Sequence, residues 1–243
     1  MNESAIILAA GQGKRLNGFN DTRHKSQLKI GTQTFLDLSI KKLLAVGIKQ
    51  IVVVVGYESQ FIKQNLDEEI ISKIKFVENS EYASSGNLIS LIKGLQETNG
   101  PCLFLDADII YESKILKNLL EAVDRNRFVT SKPCGSGDEV FVNSASGTVV
   151  EISKIPKTNL TNASEYIGIT AITEEVAQYL RELDLIGLDN YDYESYINEN
   201  ILKKFKFEDF FVPNSVWSEV DKAEDWIRIQ AWDEQTISRI TVI

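Results

Sequence analysis

The sequence predicts an α/β protein with a doubly wound, mostly parallel, Rossmann-like sheet. Three observations predict it. Short apolar runs alternate with amphipathic segments in a βαβαβ order over the first 80 residues. Ile51 to Val55 is unbroken β-branched sequence, which suits a strand buried on both faces. Glycines close the first two apolar runs, at Gly11, Gly13 and Gly56. In such sheets ligands bind outside the carboxyl ends of the strands.

Ala5 to Ala9 reads as the first strand, too short for a helix. The loop after it holds Gly11 and Gly13, which let the backbone turn and approach a ligand, then Lys14 and Arg15. Such a loop can cradle a polyanion; a plain strand followed by a glycine turn explains the same spacing. Neither a G-x-x-x-x-G-K-[ST] nor a complete G-x-G-x-x-G is present, because Gly18 comes too late. Asn17 to Thr22 reads as a polar, mobile loop, and His24, the single histidine, as a solvated side chain.

Phe35 to Val46 has helical spacing and ends at Gly47, a residue suited to a left-handed cap. Glu58 to Leu66 reads as a helix and Ile74 to Val77 as a strand. Asn79 to Ser90 is polar and then becomes helical, with Leu88, Leu91, Ile92 and Leu95 on one side. Ser84, Ser85 or Asn87 would cap that helix, and its N-terminus would also attract an anion.

Cys102 to Asp108 is an apolar strand that delivers Asp106 and Asp108 to the ligand edge. Two such charges are costly unless a cation lies beside them; capping the helix expected over Glu112 to Val123 is the simpler alternative. Phe128 to Thr130 reads as a strand, and Glu139 to Asn143 with Thr148 to Ile152 as a hairpin. Lys154 and Lys157 follow, then a strand over Glu165 to Ile172. Tyr191 to Tyr196 interleaves aromatics with carboxylates. It reads either as a box for an ammonium group or as the first turn of a helix running to Phe205. Val216 to Trp226 is alternating, then helical, with Asp221 just past the strand. Asp233 to Ile243 carries no readable signal.

The chain has 243 residues, 43% of them hydrophobic, and a formal net charge of -9. That is enough for one sizeable domain. It is divided here into residues 1–125, residues 126–232 and a tail over 233–243. A net acidic chain lacks the basic footprint of a nucleic-acid binder. No run is long enough to span a membrane, and no signal peptide is evident. Cys102 and Cys134 have no metal-site spacing and read as ordinary thiols. A cytoplasmic monomer or homodimer, free of nucleic acid and membrane, is the expectation.

Leu8-Ala-Ala-Gly-Gln-Gly-Lys-Arg-Leu16 resembles the LAAGxGxRL signature of the nucleotidylyltransferases. Asn79…Tyr82…Gly86-Asn87…Ser90 is similar to the base-recognition segment of the branch that uses CTP, which includes choline-phosphate, inositol-phosphate and aminoethylphosphonate cytidylyltransferases. The resemblance implies the GT-A-like nucleotidyltransferase fold with a small hairpin and helical acceptor part, residues 1–125 being the nucleotide-binding half and 126–232 the acceptor-binding half. It implies that Leu8, Ala9, Ala10, Gly11, Gly13, Lys14, Arg15, Ser85, Gly86, Asn87 and Asp106 bind nucleotide. Arg15 and Lys25 would be catalytic, with His24 standing where the family has proline. Asp108 and Asp221 would hold Mg²⁺, and Lys154, Glu165 and Tyr193 would meet a small phospho-acceptor. The chemistry implied is CMP transfer from CTP with release of pyrophosphate. Three other readings remain: a sugar-1-phosphate nucleotidylyltransferase using UTP, dTTP or GTP, a glycosyltransferase, and a non-catalytic nucleotide-binding protein.

Overall fold

The computed structural model describes residues 4–16, 24–121, 124–155 and 163–243. Gly18 and the Asn17 to Thr22 loop, Val123 and Lys157 lie outside the described residues. In chain order the first half runs β1 (Ser4–Ala9), β2 (Lys29–Ile30), β3 (Gln33–Thr34), α1 (Phe35–Ala45), β4 (Gln50–Val55), α2 (Ser59–Gln64), α3 (Glu68–Ile71), β5 (Ile74–Glu78), α4 (Asn87–Leu95), β6 (Cys102–Asp106), β7 (Ile109–Tyr111) and α5 (Ser113–Leu120). The second runs β8 (Asn126–Ser131), β9 (Phe141–Ala145), β10 (Thr148–Ser153), β11 (Ser164–Ile172), α6 (Glu174–Arg181), α7 (Tyr193–Tyr196), β12 (Phe207–Phe211), β13 (Trp217–Glu219), α8 (Ala223–Gln230) and α9 (Glu234–Thr241). A π-helical turn, Ile197–Ile201, continues α7.

Among the described residues one sheet carries the fold, in the order β5-β4-β1-β6-β11-β8-β12-β10-β9. Its first four strands are mutually parallel. β11 then enters antiparallel between β6 and β8, so the sheet is parallel over its first four strands and mixed beyond them. Alternation along β1 shows why both faces are covered. Ala5, Ile7 and Ala9 pack into one core with α1 and α5, whereas Ile6, Leu8 and Ala10 pack into another with α4, α6 and α7. A fully buried Ile or Leu side chain contributes roughly 1.5–3 kcal/mol, and a strand with apolar residues on both faces has no place at a surface.

The ends of α1 follow its sequence. Thr34 and Asp37 form a capping box, and Gly47 takes a φ of 89° after the last turn. Tyr193–Tyr196 and the π-helical turn adopt the helical alternative for that segment, which ends at Ile201 rather than Phe205. The tail is a finding the sequence reading missed. Asp233 accepts from the Thr236 backbone N–H and starts α9. Ile240 is buried in a third cluster with Phe35 and Trp226, and Arg239 binds Glu112. An acidic cap and apolar residues at Ile237 and Ile240 were the available signals.

One short ribbon matters most for the site. β7 and β13 pair antiparallel, with Ile109 opposite Glu219, and the Val220 N–H donates to the Asp108 carbonyl at 3.0 Å. This register places Asp108, Glu219 and Asp221 side by side although they come from distant parts of the chain.

Candidate active site

The carboxyl ends of β1 and β6, with Tyr166 and Gly168 of the antiparallel β11, open onto a cavity of about 420 Å³. Its glycine loop is tied down from two sides. The Tyr57 N–H donates to the Ala10 carbonyl at 3.1 Å. Gly13 has a φ of 56°, a left-handed conformation that favours glycine, and a Cβ there would stand a tight 3.0 Å from Lys25 Cγ.

His24 corrects the reading of a solvated histidine. It is buried, and it caps a 3₁₀ turn by accepting from the Ser26 N–H at Nδ1. The proton therefore sits on Nε2, which donates to the Gly11 carbonyl at 3.0 Å. Burial drives its pKa down to about 4, against the pull of Asp108, so the ring is neutral and braces the loop. The same turn aims Lys25 into the cavity. Its ammonium lies 3.2 Å from Asp108 and binds Asp221. Burial opposes its charge, but Asp108 and Asp221 outweigh burial and hold its pKa above the ordinary value. Arg15 spans Asp138 at 2.7 Å and Asp221 at 2.8 Å.

Oxygen atoms of Asp108, Glu219 and Asp221 lie within 4.8 Å of one another. Burial, together with Asp108 and Asp221, pushes the Glu219 carboxyl well above the usual range. Burial alone would raise Asp221 as well, yet Lys25 and Arg15 hold it below its ordinary value. Three carboxyl groups here face two cations, Lys25 and Arg15. A set of hard oxygen ligands suits a divalent cation such as Mg²⁺, and Asp108, Asp221 and Glu219 are the residues that would hold it. Glu219 was missed from sequence, where only its place two residues before Asp221 marked it. Asp138, which also meets Lys222 at 3.4 Å, was missed too.

Asp106 ends β6 beneath the cavity and accepts from the Tyr193 hydroxyl at 2.6 Å. Burial raises its pKa well above normal, Asp108 and Glu194 add to this, and the hydroxyl opposes it. On the other wall Asn79 organises the polar turn. It donates to Ser85 Oγ at 3.2 Å and Ser90 Oγ at 3.0 Å, and accepts from the Glu81 N–H at 3.1 Å. The Gly86 N–H donates to the Asp189 carbonyl at 2.6 Å. A Cβ on Gly86 would come 2.1 Å from the Tyr191 carbonyl oxygen, so a neighbouring backbone is why glycine stands there. Asn87 accepts the Tyr193 N–H at 2.7 Å.

Leu8, Ala10, Gly11, Gly13, Lys14, Arg15, Lys25, Ser85, Gly86, Asn87, Asp106, Asp108, Lys154 and Asp221 all line this one cavity. Three expected residues do not. Ala9 packs into the core on the opposite face of the sheet. Glu165 is one residue out of phase with Tyr166 and Gly168, which do face the cavity. It points instead to a separate space of about 80 Å³, where it accepts from the Cys134 N–H at 2.6 Å. Tyr193 has no exposed surface; its ring packs edge-on against Phe104, and only its hydroxyl acts, through Asp106. Lys154 reaches no nearer than 3.9 Å to Asp192 and is largely solvated.

A braced glycine loop facing cations and grouped carboxylates, at the open edge of this sheet, places the chain in the nucleotidyltransferase class of α/β proteins. The profile of the MobA-like NTP transferase domain matches residues 5–155, and the chain belongs to that family. It is 29% identical over 154 residues to a 2-aminoethylphosphonate cytidylyltransferase of Lancefieldella rimae, covering 62% of this chain and 61% of that one. It is 25% identical over 248 residues to a CTP:phosphoglutamine cytidylyltransferase of Campylobacter jejuni, covering 91% and 97%. Of two other curated relatives the chain spans only 21% and 52% of the length. Sugar-1-phosphate nucleotidylyltransferases are also among the relatives. The CTP:phosphocholine cytidylyltransferase of Streptococcus pneumoniae superposes with a TM-score of 0.77 at 20% identity, over 95% of this chain and 98% of that one, a likeness of fold. Among the described residues no helix is long and apolar enough to cross a membrane.

Proposed function

We propose that the protein transfers CMP from CTP to a small phosphorylated or phosphonate metabolite, with Mg²⁺, releasing pyrophosphate. The observation that carries this reading is the convergence of Arg15, Lys25 and the Asp108, Glu219, Asp221 group on the glycine loop. The cytidylyltransferases among the relatives support the choice of CTP.

An acceptor phosphoryl oxygen attacks the α-phosphorus, and the bond to the bridging oxygen of pyrophosphate breaks, so one P–O bond forms as another is lost. A phosphate monoester is largely ionised near neutral pH, with a second pKa of about 6. No general base is therefore required, in keeping with the fully engaged His24. What the step needs is in-line positioning and relief of negative charge. The braced loop positions the triphosphate. Arg15 and Lys25, released from their carboxylates, take up charge on the reacting and departing phosphates. A bound Mg²⁺ supplies Lewis-acid charge neutralisation. Lys154, a cation on the cavity wall, would receive the acceptor phosphoryl group.

The test is pyrophosphate release from each of CTP, UTP, dTTP and GTP with Mg²⁺ and a panel of phospho-acceptors. Turnover with CTP well above the other nucleotides is expected. Preference for UTP or dTTP with glucose-1-phosphate would transfer the chain to the sugar-nucleotide group.

A further inference from the structure

The sequence offers an aromatic box at Tyr191 to Tyr196, and the structure closes it. None of Tyr191, Tyr193 and Tyr196 lines the cavity. Tyr193 is fully buried, and Tyr191 and Tyr196 pack edge-on against each other. A cation–π cage needs a ring face open to the cation, and these three rings present none.

What the segment does present is Glu194. It lines the cavity, it is 9% exposed, and its Oε2 is buried without a hydrogen-bond partner. Four other carboxylates on the cavity wall have donors. Asp106 has the Tyr193 hydroxyl, Asp108 and Asp221 have Lys25, and Asp138 has Arg15. Lys154 leans towards Asp192 instead and stays more than half exposed. Burial pushes the pKa of the Glu194 carboxyl up to about 7, against its own backbone N–H, Lys154 and the Asn87 side chain; once ionised it only accepts hydrogen bonds, and its unpaired buried Oε2 is destabilising. The missing partner is a positively charged N–H donor of suitable size. A quaternary ammonium has no N–H to give, and it finds no cage in these tyrosines.

We propose that Glu194 selects the acceptor, and that the acceptor carries a primary ammonium group whose N–H donates to Glu194 Oε2 at the end away from its phosphoryl oxygens. The inference rests on the transfer reading above. It adds a charge, a hydrogen-bond type and a residue that this reading does not contain. An alternative donor is a hydroxyl of the nucleotide ribose, since Asn87 of the polar turn adjoins α7 through Tyr193.

The experiment compares three acceptors that share one phosphonate: 2-aminoethylphosphonate, its N,N,N-trimethyl analogue and ethylphosphonate. Each is run with CTP on the wild type and on Glu194→Gln. Glutamine keeps the shape and removes the charge, and matching thermal melts check that it folds. The expected result is a wild-type preference for the primary amine of about tenfold or more in kcat/KM over both analogues. In Glu194→Gln this preference collapses, through KM for the acceptor, while KM for CTP holds. A merely structural role would lower all three acceptors alike. Equal use of ethylphosphonate or the trimethyl analogue by the wild type overturns the inference alone. A rise in KM for CTP with acceptor selectivity intact assigns Glu194 to the ribose and also overturns it. No pyrophosphate from any nucleotide and acceptor pair removes the transfer reading, and the inference with it.

Discussion

Lys25 lies 3.2 Å from Asp108, and the same ammonium also binds Asp221. The lysine therefore acts as a built-in counter-ion at the carboxylate group suited to a divalent cation. Metal and lysine compete for the same oxygens, and a triphosphate arriving at the loop offers the lysine another partner. Lys25→Met should bind Mn²⁺ more tightly than wild type in the absence of nucleotide, by about tenfold for one removed charge, as titrated by electron paramagnetic resonance. Its kcat should nevertheless fall by on the order of 10²-fold or more. Unchanged Mn²⁺ affinity would show that the lysine does not guard the site.

Asp108→Asn and Asp221→Asn should each abolish turnover while the fold survives, since each removes a ligand charge on the cavity edge. EDTA should do the same to the wild type, and added Mg²⁺ should reverse it. Full pyrophosphate release in EDTA would remove the proposed metal role.

Arg15→Ala should lower kcat by on the order of 10²-fold with little effect on stability. Its side chain is 55% exposed, and exposed ion pairs contribute little. A large drop in melting temperature without a kinetic effect would recast Arg15 as a strut between Asp138 and Asp221.

The neutral His24 ties stability to acid pH. Unfolded, it takes up a proton near 6.5; folded, only near 4. Between these values the unfolded chain binds more protons. The contribution is complete above pH 6.5 and is lost as pH falls towards 4, by on the order of 3 kcal/mol across the whole window. Urea unfolding at pH 7.5, 6 and 5 should show this loss in wild type and a shallower one in His24→Gln. Parallel slopes would mean that His24 is not the group responsible.

Gly86→Ala should destabilise the protein by about 3 kcal/mol, because its methyl would meet the Tyr191 carbonyl oxygen at 2.1 Å. Backbone meets backbone at that point, so no side chain can move aside. A melting temperature equal to wild type would contradict the packing of the polar turn against α7.

The contrast between what sequence revealed and what it hid follows from interaction range. The β1 loop, Gly47 and Asp108 were legible because their signals are local: a run, a glycine, a strand end. Glu219 and the bracing role of His24 were not. The first depends on the β7–β13 register and the second on a turn that returns to Gly11. Tyr193 and Glu165 were misjudged for a related reason. An aromatic or acidic residue near a pocket can face either side of its element, and only the packed structure fixes which. The α9 helix had local signals, an acidic cap and apolar spacing, that were passed over.

The β7–β13 ribbon has a consequence for how the chain comes off the ribosome. Domains form from the N-terminus as synthesis proceeds, and the parallel half of the sheet is complete once Asp106 has emerged. Asp108 then waits for Glu219 and Asp221, which come from far downstream in the chain. A nascent chain stalled before β13 would possess the glycine loop yet lack two of its three grouped carboxylates. The group therefore assembles only after both the parallel and the mixed parts of the sheet have been made.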